Sequence, residues 1–130
     1  MATLFLNDFY TIRSKKTDPG NNYLQVQVHI NRDHALFTGH FPDHPVVPGV
    51  VMIQMITEIL SDSLQEELDL KELTRVKFLS LVDPGVHPFL AFDLTIKQED
   101  MQCYQVNAEI LLREKLVMKC NGRWKRTTVN

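Results

Sequence analysis

Two histidines, His40 and His44, stand four residues apart in a stretch that also holds Asp43. On a helix that spacing would suggest a metal site. Pro42 and Pro45 forbid the helix, so no shared ion is expected. Taken alone, His40 reads as a packed loop histidine. Next along the chain, Pro48-Gly49 opens a helix and leaves backbone N–H groups unpaired at its positive end. On that helix Gln54, Glu58 and Ser61 fall at i, i+4 and i+7, one narrow polar stripe. The stripe either faces water or lines a pocket. His29 falls on the polar face of a strand, and His34 and His87 stand alone in loops; all three read as solvated.

These residues need elements to position them. Residues 10–16 read as a short strand, and the cluster 18–22 (Asp-Pro-Gly-Asn-Asn) as a turn. In Tyr23–Ile30, Leu24, Val26, Val28 and Ile30 alternate with polar residues, the period of a half-buried strand. Residues 36–47 are apolar and stiffened by proline, which excludes regular helix and predicts a packed loop. Residues 50–64 carry no Pro or Gly and are apolar on nearly every side, so a helix buried all round is expected, with Met52 and Met55 as core filler. Strands follow at 73–82, 89–97, Cys103–Leu112 and 115–125, separated by turns at 83–85, 98–100 and Arg113-Glu114. One long helix among antiparallel strands is an α+β layout.

Composition narrows the function classes. The 130 residues suit a single domain, 1–130, with no separate nucleotide-binding unit. Fourteen Lys and Arg against sixteen Asp and Glu give −2, no balance for wrapping a nucleic acid. No apolar run approaches the roughly 20 residues of a membrane span, and the first ten residues do not read as a signal peptide. Cys103 and Cys120 cannot form a disulfide framework; two reduced thiols in a cytoplasmic protein are expected. Residues 122–126 (Gly-Arg-Trp-Lys-Arg), with Lys115 and Lys119, form a modest basic cluster, either a solvated strand face or a docking patch.

The run Gly-His-Phe-Pro-Asp-His-Pro-Val-Val-Pro-Gly-Val at 39–50 resembles the active-site segment of the β-hydroxyacyl-acyl carrier protein dehydratases of bacterial fatty-acid synthesis. That pattern is close to G-H-F-P-x-x-P-x-x-P-G-V/C followed by a helix. Arg75-Val-Lys-Phe ahead of Asp83-Pro-Gly extends the likeness. The resemblance implies a hot-dog fold, a curved antiparallel sheet wrapped round one long helix. It implies sites at a subunit interface, in a homodimer, a trimer of dimers or a heterodimer with a related dehydratase. The partner implied is acyl carrier protein with its acyl thioester. The reaction implied removes water from a (3R)-hydroxyacyl thioester to give the trans-2-enoyl thioester, without metal or nucleotide cofactor.

Within that resemblance His40 matches the catalytic histidine, whose ordinary pKa near 6.5 suits a base at neutral pH. Val46 matches the carbonyl that orients the ring. Gly49 matches the residue whose N–H points at the thioester oxygen, and its bare Cα allows close approach. Phe41, Pro48 and Val50 are candidates for the acyl channel or for core. The acid position, fourteen residues after the histidine, holds Gln54, and Glu58 stands where the family has glutamine. The pair is exchanged, and an amide does not titrate. Three readings follow: a working dehydratase in which Glu58, or water held by Gln54, completes proton transfer; half of a hetero-oligomer whose partner brings the acid; or a protein that binds or hydrolyses acyl thioesters.

Overall fold

A computed structural model of the chain describes residues 4–38 and 45–127. Six strands form one antiparallel sheet: β1 (Tyr10–Asp18), β2 (Tyr23–Ile30), β3 (Leu68–Phe78), β4 (Phe89–Gln98), β5 (Cys103–Leu112) and β6 (Lys115–Arg126), in the spatial order β1-β2-β4-β5-β6-β3. A four-residue helix, α1 (Ala35–Thr38), and a sixteen-residue helix, α2 (Gly49–Leu64), lie between β2 and β3 in the chain. This is the expected hot-dog arrangement.

Alternation sets the register. Leu24, Val26 and Val28 of β2 stand opposite Leu94, Phe92 and Leu90 of β4, and Val106, Ala108 and Ile110 of β5 continue the same inner face. Each strand therefore gives one side to the core and one to water. Against that inner face α2 lays Val51, Met52, Met55, Ile56, Ile59 and Leu60, all buried. The helix stops where Gln65 takes a left-handed conformation (φ 55°) and Glu66 N–H closes back on the Ser61 carbonyl at 3.1 Å.

The helix is not apolar and buried all round, as the sequence suggests. Val50 is 75% exposed, and the first turn is covered on one side only. β3 also departs from expectation: it spans Leu68–Phe78, not 73–82. Two irregularities in its pairing with β6, at Leu70/Glu72 and Leu73/Arg75, break the alternation that would have revealed its first half. Gly122 lies there; a Cβ on it would stand 2.9 Å from the Glu72 carbonyl oxygen, so the two backbones meet where only glycine fits.

Candidate active site

α2 begins at Gly49 because Pro48, extended at φ −63° and ψ 147°, cannot continue a helix backwards. Pro48 supplies no side-chain cap, and among the described residues no acceptor meets the Gly49 N–H. The preceding segment is held to the loop after β3 by the Val47 N–H, which donates to the Val82 carbonyl at 2.9 Å. A Cβ at Gly49 would stand 2.6 Å from the Phe78 ring, so the ring rests on the bare Cα. The open N–H tip thus sits beside an aromatic edge, with Val46 and Pro48 half-buried next to it. His40 and Phe41 lie outside the described residues, as do Asp43 and His44.

The polar stripe faces neither water nor a cavity at its centre. Glu58 has no exposed surface. Its carboxylate accepts five hydrogen bonds: from the backbone N–H groups of Leu4 (2.8 Å), Phe5 (3.1 Å) and Leu6 (2.8 Å), the Tyr10 hydroxyl (3.0 Å) and Gln54 Nε2 (3.0 Å). Residues 4–10 form a strap over the helix, reversing at Asn7 (φ 70°) so that Phe9 and Tyr10 enter the core. Burial, with the adjacent Glu58 carboxylate, pushes the Tyr10 phenol far above its ordinary range, which keeps it a hydrogen-bond donor. Ser61, next on the stripe, accepts from the Leu68 N–H at 3.2 Å.

Position along the helix separates the two exchanged residues. At 1.5 Å per residue, Gln54 lies about 7–8 Å from the Gly49 tip and Glu58 about 13–14 Å. Gln54 is half-buried, and its carbonyl oxygen and second N–H have no partner among the described residues.

The other histidines differ from expectation. His34 is not a solvated loop residue: its Nε2 meets Asp8 Oδ2 at 2.9 Å, its Nδ1 accepts from the Leu36 N–H, and its ring packs edge-on to Phe9. His29 is half-buried with its ring edge-on to Phe89, and the His87 ring lies 3.2 Å from the Phe89 carbonyl. Among the described residues no cluster of His, Cys, Asp and Glu could hold a metal, and no helix is long and apolar enough to cross a membrane.

Both arginines of the basic cluster are paired: Arg123 with Glu99 (2.7 Å) and Glu72 (2.9 Å), and Arg126 with Glu66 (2.7 Å). A cleft of about 340 Å³ lies at the opposite end of α2, lined by Leu24, Ser63, Leu64, Ile96 and Tyr104. It sits about 20 Å along the helix from Gly49, away from the motif.

Sequence reasoning missed the strap, Tyr10 and Phe78. The only early signal was the apolar content of residues 4–10 (Leu4, Phe5, Leu6, Phe9, Tyr10) ahead of the first strand.

A family model described as ApeI-like, ApeI dehydratase, matches residues 14–115. The 3-hydroxyacyl-[acyl-carrier-protein] dehydratase FabZ of Sulfurovum sp. (strain NBC37-1) is 28% identical over 109 residues, 74% of this chain and 72% of that protein. FabZ of Xylella fastidiosa (strain M12) is 29% identical over 117 residues, 76% and 71% of the two chains. In three dimensions the chain is similar to the dehydratase heterocomplex ApeI:P from Xenorhabdus doucetiae, with a TM-score of 0.68 at 17% identity, covering 89% of this chain and 97% of that one. At that identity the last likeness speaks for the fold. The family match spans the proline-rich motif, the open helix tip, α2 and strands β2 to β5, and so the chain belongs to the ApeI-like dehydratase family.

Proposed function

We propose that the chain dehydrates a (3R)-hydroxyacyl thioester carried on acyl carrier protein to the trans-2-enoyl thioester. The observation that carries this reading is the helix tip: at Gly49 an N–H without an acceptor among the described residues, on a bare Cα, directly after the matched motif. There the N–H stabilises the enolate charge that grows on the thioester oxygen. His40, its ring oriented by the Val46 carbonyl, takes the proton from C2. The C2–C3 double bond forms as the C3–O bond breaks. The departing hydroxide receives the proton that His40 removed, relayed through a water held by Gln54, and leaves as water. No titrating acid on α2 is needed for that balance, which fits an amide at position 54. Phe41, Pro48 and Val50 line the acyl path.

The site is completed by a second copy of the chain. Val50 (75% exposed), Phe78 (54%), Leu79 (53%) and Leu81 (77%) are exposed apolar side chains at the start of α2 and the end of β3, the last strand of the sheet, whose outer edge has no partner strand among the described residues. Two buried free thiols fit a reducing, cytoplasmic setting.

The purified chain with a (3R)-hydroxyacyl thioester should develop enoyl-thioester absorbance, and His40→Ala should abolish it. A second reading rests on Gln54: the acid comes from a related chain in a mixed oligomer; the similar Xenorhabdus doucetiae protein is itself a dehydratase heterocomplex. Silence of the pure chain, with activity appearing on addition of an acid-bearing relative, would select that reading.

A further inference from the structure

Among the described residues Glu58 is the one charged side chain that is fully buried. A buried carboxylate is costly unless its charge is answered. No lysine or arginine among the described residues pairs with it. The answer comes from five donors, three of them consecutive backbone N–H groups that close round the carboxylate as an anion-binding concavity. An ionised carboxylate offers about four lone-pair sites, so this one is filled. Backbone N–H groups can only donate, and the contact therefore has one polarity: Glu58 accepts, and the strap gives.

The fifth donor is Gln54, one turn towards the site. Without Glu58 a half-buried amide could turn over, exchanging its carbonyl oxygen for its NH₂ group. With one N–H committed to Glu58 at 3.0 Å, the carbonyl oxygen and the other N–H are left in fixed places.

We propose that Glu58 is a positioning residue, whose carboxylate fastens residues 4–6 and Tyr10 to α2 and locks the Gln54 amide in the orientation that holds the reacting water. This rests on the dehydratase reading for its kinetic part only. It assigns the exchanged glutamate to holding the amide, and proton transfer to His40 and the held water.

The test uses the full chain and the Glu58→Gln variant. In the wild type, one Gln54 side-chain N–H should give a shifted, slowly exchanging NMR signal, and the amides of Leu4, Phe5 and Leu6 should be protected. In Glu58→Gln that signal should collapse and the three amides should exchange at least about tenfold faster. kcat should fall about 10–100-fold with KM within about twofold, and the pH profile should keep its limbs in place. Loss of one limb would make Glu58 the proton donor and overturn the proposal. An unchanged kcat beside loosened amides would reduce Glu58 to an anchor and overturn the positioning role. Should Glu58→Gln not fold, Tyr10→Phe removes one donor and keeps the carboxylate. It should lower kcat about 2–5-fold and speed exchange at residues 4–6, and no change in either overturns the proposal. If the wild type forms no enoyl thioester, the dehydratase reading fails by itself. The Gln54 signal and the strap amides then decide the role of Glu58: their loss in the variant supports it, their persistence overturns it.

Discussion

Gln54 and Glu58 share one face of α2, yet Gln54 stands one turn nearer the helix tip and Glu58 is enclosed by the strap. Spacing made the pair legible in the sequence but not its surroundings, because the other four donors round Glu58 lie 48 to 54 residues away in the chain. Gln54→Glu would set two carboxylates at the present 3.0 Å contact. Like charges at that range raise the proton affinity of one partner. A raised folded-state value adds stability only below the ordinary carboxylate range and loses it as pH rises. The variant should therefore match the wild type near pH 4 and lose roughly 1–3 kcal/mol near neutrality, read by urea unfolding at several pH values. Gly49 was legible for another reason: the motif and the break before a helix coincide there. Gly49→Ala would push its methyl into the Phe78 ring, which is 54% exposed and can swing aside. The melting temperature should move by only a few degrees, while kcat/KM falls at least about tenfold as the approach to the N–H narrows.

At the scale of elements, alternation announced β2 and β4 and the apolar run announced α2, because burial of one face imposes those periods. β3 was half-hidden by its irregular pairing with β6, and its true start at Leu68 is set by tertiary contact rather than pattern. Contact between helix and sheet is polar in places as well. The buried Trp124 indole N–H of β6 donates to Thr57 Oγ1 of α2 at 2.8 Å. Thr57→Val keeps the shape and strands that donor, so unfolding free energy should drop by about 1–3 kcal/mol in a denaturant titration. The end of α2 is tied differently. A hydrogen bond from Tyr104 (2.6 Å), then Arg126, holds the Glu66 carboxyl below its ordinary range. A lowered value stabilises the fold above the ordinary carboxylate range and ceases to do so as pH falls through it. Glu66→Gln should therefore flatten part of the acid limb of stability against pH.

For the whole molecule, one cluster of buried apolar side chains runs through strap, helix and sheet. Cys120 belongs to it, and burial pushes its thiol up to about 11, away from the reactive thiolate; Cys103 is buried as well. Neither group should be labelled by a thiol reagent at pH 8 in the native state, and both should react once the chain unfolds. The edge position of β3 and the exposure of these apolar side chains were illegible in composition, since exposed Val50, Phe78, Leu79 and Leu81 look like core when read along the chain. Only the strand order shows that Phe78 ends an edge strand, and only the fold brings its ring to Gly49, beside Val50.

The strap places Leu4, through its N–H, on the same carboxylate that grips Gln54. A bulky tether or fusion partner grafted directly ahead of Leu4 would pull on that amide, so its load would be transmitted down the helix towards the thioester. An otherwise identical handle attached beyond residue 127 would leave that linkage slack.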